Sequence, residues 1–277
     1  MSALVSDAKA FLRQTLPPRY FNFAKTRWWW LNHYTIPSMK SRFIKSTPKV
    51  YSSNREGGSY LEERVRNVNV VAPTKMCRLM ASQGSDKALF RHNYTTIYSA
   101  LLKDRQSEPL RIFELGLGST NPEMPFNMAF LGHPGASLRA WKKIFPKAVI
   151  YGADIDRSIL FQEDRIKTFY CDQLDPESIR DLWMQRELQE DMDVIIDDAY
   201  HTFDANVSFL ENSLAHLSPR GLYVVEDIER KCFDAWREKI EISYSRRFPT
   251  FEFVLLNLPN AFQPDLNNLL LIRRSDN

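Results

Sequence analysis

Short apolar runs recur from residue 110 onward, separated by longer stretches in which apolar and polar positions follow a helical period. The runs at 110–115, 149–153, 166–171, 193–196, 222–225, 251–256 and 269–272 predict seven strands. The stretches at 94–103, 137–145, 175–188, 203–217 and 231–246 predict helices; Ile97, Leu101 and Leu102, for example, share one helical face. Strands that alternate with helices predict an α/β fold: a doubly wound, mostly parallel sheet with ligands at the carboxyl ends of its strands. Only a loop at 257–268 joins the last two strands, so these two are expected to form an antiparallel pair at one edge.

Upstream of residue 60 this regularity is lost. Pro17, Pro18, Pro37 and Pro48 cut the chain into short pieces, and Ser52, Ser53, Asn54, Gly57 and Gly58 mark a joint. The expected organisation is an arm at 1–58, a helical lead-in or lid at 59–109, and the main domain at 110–277. Charge sharpens that division. Residues 1–50 hold nine Lys/Arg against the single acid Asp7, and residues 51–277 hold 28 against 33, so a basic arm precedes a mildly acidic body within a net charge of +3. With Trp28, Trp29 and Trp30 beside Arg27, the arm suits packing on its own domain or a sister subunit, with peripheral contact to anionic lipid as the alternative. A homo-oligomer is expected on the first reading. No run approaches the ~18 apolar residues that cross a bilayer, and no secretory signal is legible at the amino terminus. Cys77, Cys171 and Cys232 are widely spaced and form no metal pattern, so a reduced, cytoplasmic setting is expected.

The chemistry lies at the strand ends. The first strand closes on Phe113-Glu114-Leu115-Gly116-Leu117-Gly118, where glycine permits a tight turn and close approach of a ligand to the backbone. The third glycine of a dinucleotide fingerprint is missing, and an insertion from Ser119 to Gly135 delays the next helix, which argues against a standard nicotinamide site. The second strand ends at Asp154, placed to accept from a ribose diol, with Asp156 a helix cap. The third ends near Asp172, facing an adenine amino group, while Asp175 suits a cap. The fourth ends in Asp197-Asp198 and the fifth in Glu226-Asp227. Four acids at adjacent strand ends would repel one another in a buried cleft unless a cation offsets them, and a hard divalent ion, Mg²⁺, fits best. His201, one turn from the pair, can take a proton near neutral pH. His33, His133 and His216 carry no assigned role.

Taken together, Phe-Glu-Leu-Gly-Leu-Gly-Ser119, Gly135-Ala-Ser-Leu-Arg-Ala-Trp141, Gly-Ala-Asp-Ile-Asp156, Glu163-Asp-Arg-Ile166, Asp172-Gln173 and Ile-Ile-Asp-Asp-x-x-His201 resemble the class I S-adenosylmethionine-dependent O-methyltransferases. The branch most resembled is the metal-dependent one that acts on sugar hydroxyls of macrolides and polysaccharides, related to enzymes of cephalosporin biosynthesis. Gly84-Ser-Asp-Lys87 and His92-x-Tyr94 match that group's segment ahead of the first strand, so the likeness runs from about residue 84 to the end. It implies a Rossmann-like methyltransferase fold with S-adenosylmethionine and Mg²⁺ as cofactors. Glu114, Gly116 and Gly118 would then line the methionine end, Asp154 hold the ribose, and Asp172 lie near adenine. It also implies Asp198, Glu226 and Asp227 as metal ligands, Asp197 as a supporting acid, His201 as general base, and a small-molecule or glycan hydroxyl as acceptor. Ala199-Tyr200 departs from the pattern, where relatives place glycine after the acid pair. Competing expectations are a nicotinamide-dependent oxidoreductase and a non-catalytic docking protein with a relic pocket. Nucleic-acid methylation is not expected, because no aromatic-proline catalytic loop follows the fourth strand.

Overall fold

The computed structural model describes residues 47–52, 59–88, 91–124, 126–128, 132–259 and 265–274, all within the compact unit Lys45–Asn277. The basic arm through residue 46, with its three tryptophans, and the joint at 53–58 lie outside the described residues.

The seven apolar runs become strands, and two short strands join them. In chain order these are β1 (Lys49–Ser52), β2 (Arg111–Leu115), β3 (Val149–Asp154), β4 (Gln162–Glu163), β5 (Ile166–Tyr170), β6 (Met192–Asp197), β7 (Leu217–Val225), β8 (Phe251–Asn257) and β9 (Asn268–Arg274). They form one sheet in the order β1-β8-β9-β7-β6-β2-β3-β5-β4. The pairs β7–β6, β6–β2, β2–β3 and β3–β5 are parallel. The residues of β2, β3 and β6 are almost wholly buried, as strands covered by helices on both faces must be.

The antiparallel pairing of β8 with β9 is as expected, but β9 slots between β7 and β8 and runs against both. The two outermost places go to short strands that periodicity did not reveal, β1 against β8 and β4 against β5. Four and two residues are too short to display an alternation, and β1 falls where the chain reads as arm.

The helices are α1 (Tyr60–Val65), α2 (Lys75–Ser82), α3 (Tyr94–Leu102), α4 (Ala136–Ile144), α5 (Pro176–Trp183), α6 (Phe203–Ser213), α7 (Phe233–Glu238) and α8 (Ser245–Arg247). Asp175 caps α5, accepting from Glu177 N at 2.9 Å, with Pro176 at the first helical position. Asp156 caps a 3₁₀ turn in the same way, accepting from Ser158 N at 3.0 Å. On α4, Leu138, Trp141 and Ile144 are buried while Lys142 and Lys143 point outward, the pattern of a helix lying on a sheet. The stretch expected to be one helix at 231–246 is instead a 3₁₀ turn, α7, a π-helical segment at Lys239–Tyr244 and α8. Helices α2 and α3, ahead of β2, bring Lys87, His92, Tyr94 and Tyr98 to the carboxyl ends of the central strands. There Asn93 Nδ2 donates to Pro259 O at 2.8 Å, and Asn267 Nδ2 donates to Asn93 Oδ1 at 2.6 Å.

Candidate active site

A cleft of about 520 Å³ opens at the carboxyl ends of β2, β3, β5, β6 and β7, lined by residues of every one of those strand ends. One side of it is built from backbone. Gly116 and Gly118 adopt left-handed conformations, φ 92° and 79°. A Cβ on Gly116 would stand 2.1 Å from the carbonyl oxygen of Asp198, so only glycine lets the β2 loop lie against the β6 loop. Asp154 holds the glycine turn open. Its Oδ2 accepts from Leu117 N at 2.7 Å and its Oδ1 from Asp156 N at 2.9 Å. Burial raises its pKa, though these backbone donors oppose the rise. Asp172 faces the same side and accepts from Leu174 N at 2.9 Å.

The other side is built from charge. Asp198, His201 and Asp227 bring one ligand atom each to within 4.8 Å of one another. His201 and Asp227 both sit in the left-handed region, at φ 55° and 54°. For residues with side chains that conformation costs on the order of 1 kcal/mol or more and is retained where surrounding structure imposes it. Asp227 is flanked by two imidazoles, His92 Nδ1 at 3.3 Å and His201 Nε2 at 3.8 Å, and accepts from Tyr94 Oη at 2.7 Å. Burial tends to raise Asp227, but His92, His201 and the Tyr94 hydroxyl together hold it below the usual carboxylate range. Burial pushes His201 down, so its imidazole is neutral at pH 7.

Glu226 is not brought into that group of three. Its Oε2 accepts from the ammonium of Lys87 at 2.6 Å and its Oε1 from the hydroxyl of Tyr98. Lys87 also contacts Asp198 Oδ2 and approaches Glu114 Oε1 at 3.5 Å. Burial and neighbouring carboxylates raise Asp198 well above its ordinary value, against the pull of Lys87, and burial lifts Glu226 to about 7.

Successive strand residues face opposite ways, and this separates the acid pair at the end of β6. Asp197 turns into the protein, fully buried, and accepts from Gln173 Nε2 at 2.8 and 2.9 Å and from Asn206 Nδ2 at 2.9 Å. Gln173 Oε1 in turn accepts from Tyr200 N at 2.8 Å. Asp197 therefore braces the β5 and β6 loops, and Asp198 is the acid presented to the cleft.

The strand order decides the architecture: five parallel strands, β5-β3-β2-β6-β7, extended by β9 running antiparallel between β7 and β8. The chain has the class I methyltransferase fold.

No protein-family model matches the chain. Its methyltransferase fold is shared with the MycE methyltransferase of mycinamycin biosynthesis, solved with Mg, S-adenosylhomocysteine and mycinamycin VI. That likeness has a TM-score of 0.55 at 22% identity, over 79% of this chain and 61% of that one. In sequence it is 31% identical over 159 residues to the 8-demethyl-8-α-L-rhamnosyl tetracenomycin-C 2′-O-methyltransferase of Streptomyces olivaceus, covering 57% of this chain and 39% of the relative. It is 36% identical over 141 residues to the mycinamicin VI 2′′-O-methyltransferase of Micromonospora griseorubida, covering 50% and 32%. The chain thus spans less than two fifths of the length of these curated relatives.

Of the residues expected in the methyltransferase site, Gly116, Gly118, Asp154, Asp172, Asp198, His201 and Asp227 line the cleft. Glu114 reaches its floor but is fully buried, accepting from Trp141 Nε1 at 2.7 Å and from the Ser137 hydroxyl. Arg139 lies on the helix surface, bridged to Glu163 at 2.7 Å. His216 stacks on Trp183 at 4.4 Å, away from the cleft. Local sequence assigns no chemistry to Lys87, His92 and Tyr94 and does not mark Tyr98; Gly84-Ser-Asp-Lys87 is the signal for the first, and nothing local points to the last.

Proposed function

We propose that this chain is an S-adenosylmethionine-dependent, Mg²⁺-dependent O-methyltransferase acting on a hydroxyl of a sugar, glycan or glycosylated natural product. The observation that carries it is the meeting, in one cleft, of a backbone-built nucleotide side and a buried cluster of acids with a neutral histidine. The named relatives support the acceptor class, being O-methyltransferases of glycosylated compounds.

Gly116, Gly118 and Asp154 bind the methyl donor, with Asp172 toward its adenine and Glu114 beneath its methionine end. Asp198, Glu226 and Asp227 are assigned to Mg²⁺. The donors fit a hard ion: the carboxylates of Asp198 and Asp227 converge beside His201. Mg²⁺ prefers oxygen, which leaves the His201 imidazole free to act as base. When bound, the ion offsets the carboxylate charge and acidifies a hydroxyl placed beside it.

The methyl group of a sulfonium is already activated, so the protein's task is alignment and proton removal. Holding acceptor oxygen and methyl carbon in line can contribute ~7 kcal/mol or more. Proton removal by His201 is typically worth ~10² to 10⁴ in rate. Phe126 and Tyr200 meet edge to face at 5.3 Å, and Phe126 lies 5.3 Å from His201, which offers an aromatic corner to the apolar face of a sugar ring.

The lead-in at 59–109 is assigned as a lid over this site, supported by the reach of Tyr94 to Asp227 and of Tyr98 to Glu226. The arm at 1–58 is assigned to assembly or peripheral docking, in a homo-oligomer of cytoplasmic setting. Among the described residues no helix is long and apolar enough to cross a membrane.

The test is calorimetry with S-adenosylmethionine, followed by a screen of glycoside extracts for a methyl mass gain with and without EDTA. Binding of the methyl donor and a mass gain abolished by chelation are expected. Absence of binding would remove the cofactor assignment, and chelator-insensitive transfer would remove the metal.

A further inference from the structure

Lys87 is 2% exposed, and its ammonium lies among three carboxylates: Asp198, Glu226 at 2.6 Å and Glu114 at 3.5 Å. An ammonium is removed from water only at a cost of several kcal/mol unless it is closely paired, and the same holds for each carboxylate around it. The arrangement is specified rather than incidental. Glu226 receives Lys87 on one oxygen and Tyr98 on the other, and Glu114 receives Trp141 and Ser137 as well. Lys87 is itself anchored, since Thr95 N donates to its carbonyl at 3.3 Å at the start of α3. Tyr94 and Tyr98, four residues apart on α3, hand their hydroxyls to Asp227 and Glu226. One segment ahead of the first parallel strand therefore places donors on Asp198, Glu226, Asp227 and Glu114.

We propose that Lys87 is a positioning residue: an internal counter-ion that holds Asp198 and Glu226 in place, so that the divalent-ion site is folded before the ion arrives. This rests on the reading of Asp198, Glu226 and Asp227 as that site. Without the lysine, the carboxylates are left buried and mutually repelling, and the ion must supply the whole of the compensation. The metal-free protein then loses stability, and the ion restores more of it than it adds to the wild type.

The experiment is thermal unfolding of wild type, Lys87→Met, Glu226→Gln and Lys87→Met/Glu226→Gln, each in EDTA and with excess Mn²⁺ as probe. Electron paramagnetic resonance on the wild type measures Mn²⁺ binding separately. In EDTA, Lys87→Met is expected to melt roughly 10 °C below wild type. The double variant is expected to recover much of that loss, and Mn²⁺ is expected to raise the Tm of Lys87→Met by more than that of the wild type. A Lys87→Met protein as stable as wild type in EDTA would overturn the proposal, and so would a double variant no more stable than Lys87→Met. If Lys87→Met does not fold, a folded double variant supports the counter-ion and an unfolded one overturns it. A wild type that binds no Mn²⁺ refutes the metal reading and with it the prefolded ion site, whereas the EDTA comparisons report on Lys87 alone.

Discussion

The two sides of the cleft use the same raw material, acids at the ends of parallel strands, in opposite ways. On the β3 side Asp154 is met by backbone amides, Leu117 N at 2.7 Å and Asp156 N at 2.9 Å, supplied by its own turn and the glycine loop beside it. On the β6–β7 side, backbone amides do not suffice. Asp198 and Glu226 are met by Lys87, which lies 111 and 139 residues away along the chain, and Asp227 by Tyr94, 133 away. A single acid in a tight turn can be satisfied locally. Several acids crowded together need imported positive charge, because each added carboxylate raises the cost of ionising the next. Accordingly Glu226 is lifted to about 7 by burial, while Asp227 is held low by its histidines and Tyr94.

Substitutions can pull the two sides apart. The largest effect is expected from His201→Ala, a loss of ~10² to 10⁴ in kcat with S-adenosylmethionine affinity unchanged in calorimetry. A matching loss of cofactor affinity would mean that the two sides do not act separately. Asp154→Ala is the reciprocal probe. Loss of a charged acceptor for a ligand hydroxyl costs ~1.5 to 3 kcal/mol, so cofactor Kd should rise by about 10- to 100-fold while Mn²⁺ binding persists. Gly116→Ala attacks the seam between the sides, where a Cβ would meet the Asp198 carbonyl at 2.1 Å. It should destabilise the fold by ~1 to 3 kcal/mol in denaturant titration and weaken cofactor and Mn²⁺ together. An effect on the cofactor alone would place the seam elsewhere.

The smallest effect lies outside both sides. Burial lowers the pKa of His216, which stacks on Trp183. The unfolded chain therefore binds the proton more readily, and stability falls as pH drops below the unfolded value of about 6.5 toward the lowered folded one. His216→Phe keeps the stack and should flatten that part of the stability-pH curve, with catalysis unaltered.

Much of the fold was legible because its signals are local. Apolar runs of strand length, interrupted by helical periods, set the parallel core, and Pro176 after Asp175 set the start of α5. What was not legible was either too short to show a period, as with β1 and β4, or dependent on neighbours far along the chain, as with the insertion of β9 between β7 and β8.

The site divides in the same way. The glycine loop, Asp154 at the next strand end and the doubled acids after β6 and β7 are legible locally, because a strand end is fixed by the run that precedes it. Which acid of the β6 pair faces the cleft, and what meets each carboxylate, depends on the folded sheet. The pleat of β6 sends Asp197 to Gln173 and Asn206 and Asp198 to the cleft, and Lys87 and Tyr98 occupy the two oxygens of Glu226. Lys87 and Tyr98 come from a segment that precedes the first parallel strand. Buried charges must be neutralised by whatever the fold brings near them, and nearness across more than a hundred residues is a property of the folded sheet.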